Sequence, residues 1–288
     1  ALRREMDRRY AGLDVDEEWI APGPAADAAA AGGEAPGDAG ATAGAVAVPA
    51  PGGWPFDAAA AAARQKALER AALVVDLGGG VVLELVHIPA GEFVAGGSGR
   101  WDGAPRPARV ERPFWIGRTE VTNEQYARFD PGHDSRLEHG DFLQFSVEER
   151  GWPLNEPRQP VCRVAWERAR GFCRWLAERA GRPCDLPTED QWEWACRAGS
   201  GEAYAFGGQA AGFPAHANLA DDSFAAVQTL GWNLPSGAIP WWRPAATGCD
   251  DGRRVAAPAA LYQPNAWGVH DAHGNVWEWT LGEEPAAG

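Results

Sequence analysis

The chain has 288 residues and a formal net charge of −14, from 26 basic and 40 acidic side chains. This acidic balance, without a basic cluster, excludes a nucleic-acid-binding protein, because neutralising phosphates needs a basic surface, and no apolar run approaches the roughly 20 residues of a membrane-spanning helix. With 36 Gly, 23 Pro and 15 Trp, the composition is typical of a loop-rich fold and not of a helical bundle.

The N-terminal part is predicted to hold little regular structure. Residues 1–20 form a segment of mixed charge, and residues 21–56 read as an Ala/Gly/Pro-rich linker, because they carry too little apolar bulk to offset the entropy of ordering. Residues 57–73 are predicted to be a helix, since Asp57 is a suitable N-cap and an alanine run follows it. Residues 74–288 are predicted to form the folded domain.

The domain is predicted to open with a β-hairpin. Two Val/Leu-rich runs, 74–77 and 81–86, flank three consecutive glycines, which is the pattern of two strands and a tight turn. The glycines are not a phosphate-binding loop, because the Gly-Lys-Ser/Thr ending of such a loop does not follow them.

Three helices are predicted further along the chain. Thr122 with Gln125, and Thr188 with Gln191, have the three-residue spacing of a capping box, in which each side chain binds the other residue's backbone amide. Apolar residues at three- and four-residue spacing over 165–180 predict the remaining helix.

Residues 199–288 show no sustained periodicity. A long irregular region in a compact domain needs another stabilising device, such as metal ions, disulfides or stacked indole rings. We interpret the tryptophans of this region as side chains packed in the core rather than as a ligand-binding surface. They are Trp232, Trp241, Trp242, Trp267, Trp277 and Trp279.

Five sequence elements resemble, in the same order, the formylglycine-generating enzyme (sulfatase-modifying factor) family. Together they span about residues 81–281, and details at 217–221 resemble bacterial members with a longer middle insert. The resemblance implies an α+β fold, a variant of the C-type lectin fold with little regular secondary structure, a small antiparallel sheet and two or three helices. The elements are residues 86–93 (VHIPAGEF), 114–126 (FWIGRTEVTNEQY), 160–176, 186–195 (LPTEDQWEWA) and 264–280 (PNAWGVHDAHGNVWEWT).

The resemblance also implies structural calcium. Asp271 and Glu278 are hard oxygen donors seven residues apart, with backbone carbonyls between them, which suits Ca²⁺. A hydrogen-bonded cage around these carboxylates is the alternative, and a transition metal on His270 and His273 is disfavoured because no third ligand stands nearby. The family's ligand positions correspond to Asp271, Gly274, Val276 and Glu278 for one ion, and to Asn218, Leu219, Asp251 and Arg253 for a second.

The family's catalytic segment has no counterpart in the sequence. In the family, two redox-active cysteines near the C-terminus hold copper and activate oxygen. Here no cysteine follows Cys249, so the domain is predicted to be C-terminally incomplete. It is predicted to have no catalytic residue of its own, and to bind copper only if such a segment exists. In disulfide-bearing relatives the positions of Cys173 and Cys196 bond to that segment; here they are predicted to be buried thiols, or joined to each other or to another chain.

Two functions remain open. The chain is predicted to be a calcium-stabilised, non-catalytic binding or structural subunit, with a protein partner or larger assembly expected and a glycan as a further candidate. The alternative is a copper- and oxygen-dependent oxidase that converts a sulfatase cysteine to formylglycine. An iron-dependent sulfoxide synthase is disfavoured, because residues 1–80 contain no histidine. The expected calcium sites, together with the disulfides considered as the alternative to buried thiols, favour an extracytoplasmic location.

Overall fold

The computed structural model describes residues 48–70, 72–97, 103–135, 137–138, 152–207, 212–219, 221–223 and 249–281. The predicted N-terminal segment 1–20, most of the predicted linker, and Trp232, Trp241 and Trp242 lie outside the described residues. The helices are α1 (Ala58–Lys66), α2 (Asn123–Tyr126), α3 (Trp166–Ala180), α4 (Glu189–Arg197) and α5 (Phe213–His216). The strands are β1 (Ala72–Gly78), β2 (Val81–Ile88), β3 (Gly91–Ala95), β4 (Arg106–Val110), β5 (Phe114–Gly117), β6 (Leu137–Glu138) and β7 (Trp152–Pro153).

The described strands form three small antiparallel sheets. The largest has the order β1-β2-β5, while β3 pairs with β4 and β6 with β7. The predicted hairpin is confirmed, because β1 and β2 pair across the glycine turn. Short antiparallel sheets with a few helices make an α+β fold, as predicted. No helix among the described residues is long and apolar enough to cross a bilayer.

The predicted helix 57–73 is too long at its C-terminal end. Asp57 does cap it, accepting a hydrogen bond from the Ala60 amide at 2.8 Å. The helix ends at Lys66, however, and Leu73 pairs with Leu85 in the sheet. The apolar run after the helix gains more by pairing with β2 than by extending a short alanine helix that buries little surface.

The other three predicted helices are confirmed. Both capping boxes form: Thr122 accepts from the Gln125 amide and Thr188 from the Gln191 amide, and each glutamine side chain binds back. The third helix, α3, runs one residue shorter than the predicted 165–180.

Two apolar clusters make up the core. One lies between the first sheet and helices α2 and α3, around Tyr126 and Phe172. The other lies among β2, β3, β4 and α4, and is centred on Trp194 and Trp267, whose ring centroids are 5.0 Å apart. The indole of Trp267 donates to the Ala61 carbonyl at 3.1 Å, so the C-terminal part of the domain is packed onto α1.

The described tryptophans of the irregular region have different environments. Trp267 is packed in the core, as predicted, and Trp279 is half-buried, with its indole donating to the Val164 carbonyl at 2.7 Å. Trp277 is 85% exposed, so the prediction was wrong for this residue.

Candidate functional site

The loop from Asp271 to Glu278 is a tight turn pressed against the segment around Asn218. Asp271 and Asn275 have positive φ angles of 56° and 57°, which non-glycine residues seldom adopt. Gly274, with φ 82°, forms a bridge to Asn218, and a Cβ added there would lie 2.0 Å from the Asn218 carbonyl oxygen. The position therefore requires glycine, and the contact joins two of the three segments in which calcium ligands were predicted.

Asn275 holds this junction together. Its side-chain oxygen accepts from the Asn218 amide at 2.9 Å and from the Ala257 backbone at 2.8 Å. Its side-chain nitrogen donates to Glu120 Oε1 at 3.0 Å. Asn275 is therefore a structural residue, and it fixes the position of a carboxylate from the segment that precedes α2.

The carboxylates of Glu120, Asp271 and Glu278 lie close enough to one another, near Asn275, for their charges to interact. Asp271 is buried, with 3% of its surface exposed, and one of its oxygens accepts from the Ala260 amide at 2.6 Å. The other, Oδ1, has no hydrogen-bond partner, and the same is true of Oε2 of Glu120, a residue only 7% exposed. Two buried acceptor oxygens are thus unsatisfied within the described chain, which is costly without a cation or proton.

The pKa values reflect this crowding. Burial, followed by the charges of Glu278 and Asp271, raises the pKa of Glu120 to about 9. Burial also raises the pKa of Asp271. Glu278 is exposed as a residue, but burial of its carboxyl group and the charge of Asp271 raise its pKa to about 7, against the opposing effect of Trp192.

A second acidic group lies around Asp251. Carboxylate oxygens of Asp221, Asp250 and Asp251 lie within 4.8 Å of one another. Asp221 accepts from the Asp251 amide at 2.6 Å, and Tyr262 donates its hydroxyl to Asp251 at 2.8 Å. The carbonyl of Arg253, a predicted ligand, accepts from the Ser223 hydroxyl at 2.6 Å. Burial raises the pKa of Asp251.

The structure thus brings the predicted ligands into two adjoining groups. Asp271, Gly274, Val276 and Glu278 share one turn, and Asn218 and Leu219 lie against it. Asp251 and Arg253 belong to the second group. The histidines considered for a transition metal have other partners: His270 is hydrogen-bonded to the Tyr262 carbonyl, and His273 accepts from the Ala205 amide at 3.0 Å.

The sequence reasoning missed three acidic residues. Glu120 stands more than 150 positions before Asp271, so no local spacing links them. Asp221 and Asp250 carried a usable signal, because each belongs to an Asp-Asp pair beside a predicted ligand. Asp221, Asp250 and Asp251 fit a hard cation such as Ca²⁺, which binds six to eight oxygens, because among the described residues they are the acidic group whose carboxylate oxygens all lie within 4.8 Å of one another. In the group around Glu120, a cation or a proton would satisfy the two unpartnered oxygens.

The sequence matches a family model described as "Sulfatase-modifying factor enzyme 1-like domain" over residues 80–283. The chain belongs to this family.

Relatives of this sulfatase-modifying factor domain include active and inactive proteins by name. It is 29% identical over 234 residues to a formylglycine-generating enzyme of Streptomyces coelicolor, a match that covers 67% of each chain. It is 27% identical to the inactive C-alpha-formylglycine-generating enzyme 2 of Bos taurus, covering 74% of this chain and 75% of the relative.

Two solved structures share the fold. PvdO from Pseudomonas aeruginosa superposes with a TM-score of 0.51 at 23% identity, covering 74% of this chain and 76% of that one. Treponema denticola variable protein 1 also superposes with a TM-score of 0.51, at 19% identity, covering 73% of this chain and 76% of that one. At these identities the likeness concerns the fold alone.

Two cysteines of the sulfatase-modifying factor domain were predicted to be buried, and this prediction is confirmed. Cys173 and Cys196 are buried, and each carries a thiol rather than a disulfide. The Cys196 thiol donates to the Ala272 carbonyl at 3.2 Å and lies 3.5 Å from His273 Nε2. Burial lowers the pKa of His273 to about 4, so this imidazole is neutral and does not activate the thiol.

Proposed function

We propose that this sulfatase-modifying factor domain acts as a calcium-stabilised, non-catalytic binding or structural subunit. The observation that carries the calcium part is the pair of buried, unpartnered oxygens on Glu120 and Asp271. Like-charged carboxylates that are excluded from water repel one another unless a cation or proton neutralises them. A divalent cation would offset two of the three negative charges of the cluster at neutral pH.

The first ion would be held by the carboxylates of Asp271, Glu278 and Glu120 and the carbonyls of Gly274 and Val276. All except Glu120 belong to one turn, and Asn275 connects Glu120 to that turn. The ion would therefore fasten the segment that precedes α2 to the C-terminal part of the domain. The ion would neutralise charge and bind oxygen ligands here, and it would take part in no chemical reaction.

The second ion would be held by Asp251, with Asp221 and Asp250 beside it and Asn218, Leu219 and Arg253 as the further predicted ligands. The three aspartates offer several oxygens within 4.8 Å, the hard donor set that Ca²⁺ prefers.

Three of the five thiols, those of Cys173, Cys196 and Cys249, support a non-catalytic role. Burial and four neighbouring aspartates raise the pKa of Cys249, which is the reverse of what activates a thiolate. Cys173 and Cys196 are buried. A bovine relative of comparable similarity carries the word inactive in its name. A protein or glycan partner belongs to this proposal, and the exposed indole of Trp277, next to Glu278, is a surface feature that a partner would cover.

The second candidate function is formylglycine synthesis on a sulfatase cysteine with copper and oxygen. Similarity to the Streptomyces coelicolor enzyme favours it. It requires a pair of copper-binding cysteines outside residues 1–288.

One experiment separates the two functions. The chain is loaded with Cu(I), mixed in air with a peptide that carries a sulfatase-type cysteine, and analysed by mass spectrometry for the aldehyde. A Streptomyces coelicolor formylglycine-generating enzyme serves as positive control. We expect no aldehyde, and conversion by this chain would contradict a non-catalytic role. Thermal unfolding with Ca²⁺ or with chelator tests the calcium part, for which we expect a rise of about 5 °C.

A further inference from the structure

Helix α3 and the segment that follows it are fastened side by side. The helix ends at Gly181 in the left-handed conformation, and the chain then turns back. Arg170 of α3 forms a bidentate pair with Asp185, with N–O distances of 3.0 and 2.6 Å. Residues three apart on a helix share a face, so Cys173 lies next to Arg170, while Cys184 precedes Asp185 directly. The ion pair therefore holds the two cysteines beside each other.

The Arg170–Asp185 pair and the packing of Cys184 against the cluster that contains Phe172 place the two thiols close enough to interact. Neither sulfur is part of a disulfide. Cys173 is buried, with 7% of its surface exposed, and Cys184 is partly buried against the cluster that contains Phe172 and Leu176. Cys184 is thus the less buried of the two residues.

We propose that Cys173 and Cys184 are the two halves of an intrachain disulfide that forms when the domain meets a small-molecule disulfide such as oxidised glutathione. The sulfur of Cys184 attacks one sulfur of glutathione disulfide, forms a mixed disulfide and releases one glutathione thiolate. The sulfur of Cys173 then attacks Cys184, and the second glutathione leaves as a thiolate. The two protein thiols are oxidised, one glutathione disulfide is reduced, and the released protons pass to the two glutathione thiolates or to water.

The order of attack follows from the contact. The hydrogen bond from Cys173 lowers the pKa of Cys184, which makes Cys184 the better nucleophile as well as the more accessible one. The same hydrogen bond, with burial, raises the pKa of Cys173. Once Cys184 is in the mixed disulfide it no longer accepts that hydrogen bond as a thiolate, and Cys173 is positioned to displace glutathione.

This pairing differs from the one considered from sequence, in which Cys173 would bond to Cys196. Cys196 lies on α4 against Ala272 and His273, whereas Cys173 contacts Cys184. A Cys173–Cys184 bond encloses only the ten residues 174–183 and would hold α3 against the segment that leads into α4. The inference does not depend on calcium or on catalysis.

Mass spectrometry of the full chain tests the disulfide directly. The protein is incubated with oxidised glutathione, the remaining thiols are alkylated in acid, and the chain is digested with trypsin. Cleavage after Arg174 and Arg179 places Cys173 on one peptide and Cys184 on another, so a disulfide joins the two peptides into one species that reduction separates. The second peptide also carries Cys196, so the two serine variants identify the partner of Cys173. We expect this species in the wild type, absent in Cys184→Ser and retained in Cys196→Ser.

Thermal unfolding supplies a second readout. The oxidised wild type should unfold about 5 °C above the reduced form, and dithiothreitol should abolish the difference. Recovery of both Cys173 and Cys184 in alkylated form after oxidation would overturn the proposal. Linkage of Cys173 to any other cysteine would overturn it as well.

Discussion

At the scale of single residues, the buried carboxylate of Glu120 lowers the stability of the folded protein. It is almost fully buried, one of its oxygens has no partner in the described chain, and two other carboxylates are close enough to raise its pKa. Such a group weakens the folded state on its own and strengthens it when a cation is bound. A single substitution can separate these two effects.

Glu120→Gln should stabilise the calcium-free protein and weaken its response to calcium. Glutamine keeps the acceptor for the Asn275 amide but removes the charge, so repulsion with Asp271 and Glu278 falls. We expect the unfolding temperature in chelator to rise by about 3 °C, and the rise caused by Ca²⁺ to shrink by at least half. Calorimetric unfolding measures both.

The matched control for that variant is Glu124→Gln. Glu124 is exposed in the first turn of α2, four residues after Glu120. The Glu124→Gln variant should leave the unfolding temperature in chelator, and the unfolding temperature in Ca²⁺, unchanged within about 1 °C. An equal calcium response in Glu120→Gln and wild type would contradict a role for Glu120 at the ion.

The same cluster predicts a pH dependence in chelator. The folded-state pKa values of Glu120, about 9, and Glu278, about 7, lie above their ordinary value of 4.5. The folded state therefore binds more protons than the unfolded state between about pH 4.5 and 9, and stability falls as pH rises through this window. The stabilisation by Glu120→Gln should accordingly be larger at pH 8 than at pH 5.5. A difference that is independent of pH would count against the buried cluster.

Gly274 tests the close approach between the turn and Asn218. Gly274→Ala would place a methyl group 2.0 Å from the Asn218 carbonyl oxygen at a φ of 82°. Gly252, with φ 73° and nothing near its Cβ position, is the matched control for the backbone conformation alone. We expect Gly252→Ala to cost about 1 kcal/mol and Gly274→Ala about 3 kcal/mol or more, measured by urea unfolding. Equal costs would show that the bridge is not tight.

At the scale of elements, local chemistry fixes where the helices begin. The boxes at Thr122 and Thr188 form as the sequence predicts, because each depends on contacts three residues apart. The hairpin forms for the same reason. The predicted C-terminal end of α1 was wrong, since it depended on whether Leu73 would find a partner in a distant strand.

Thr188→Ala measures what one of these boxes contributes. The substitution removes the acceptor for the Gln191 amide and should lower the free energy of unfolding by about 1 kcal/mol. Thr188→Ser keeps the hydroxyl and should restore most of the loss. Because α4 carries Trp194 into the core, an unchanged stability in Thr188→Ala would mean that packing alone positions the helix.

At the scale of the whole molecule, the sulfatase-modifying factor fold joins residues that are far apart in the chain. Trp267 is hydrogen-bonded to Ala61, and Asn275 to Glu120. The family resemblance predicts the α+β fold and places Asp271 and Glu278 in one turn, because both rest on residues close in sequence. It does not predict Glu120, Asp221 or the Cys173–Cys184 contact, because each depends on how separate segments pack.

The calcium proposal is also a statement about the whole molecule, since each ion would join segments that are distant in sequence. Its most direct test is a calorimetric titration of the chelator-stripped protein with Ca²⁺, beside Glu120→Gln and Asp251→Asn. We predict two binding events in the wild type, one lost or weakened at least tenfold in each variant. A wild type that takes up no Ca²⁺ at millimolar concentration, and unfolds at the same temperature with and without it, would contradict the proposal.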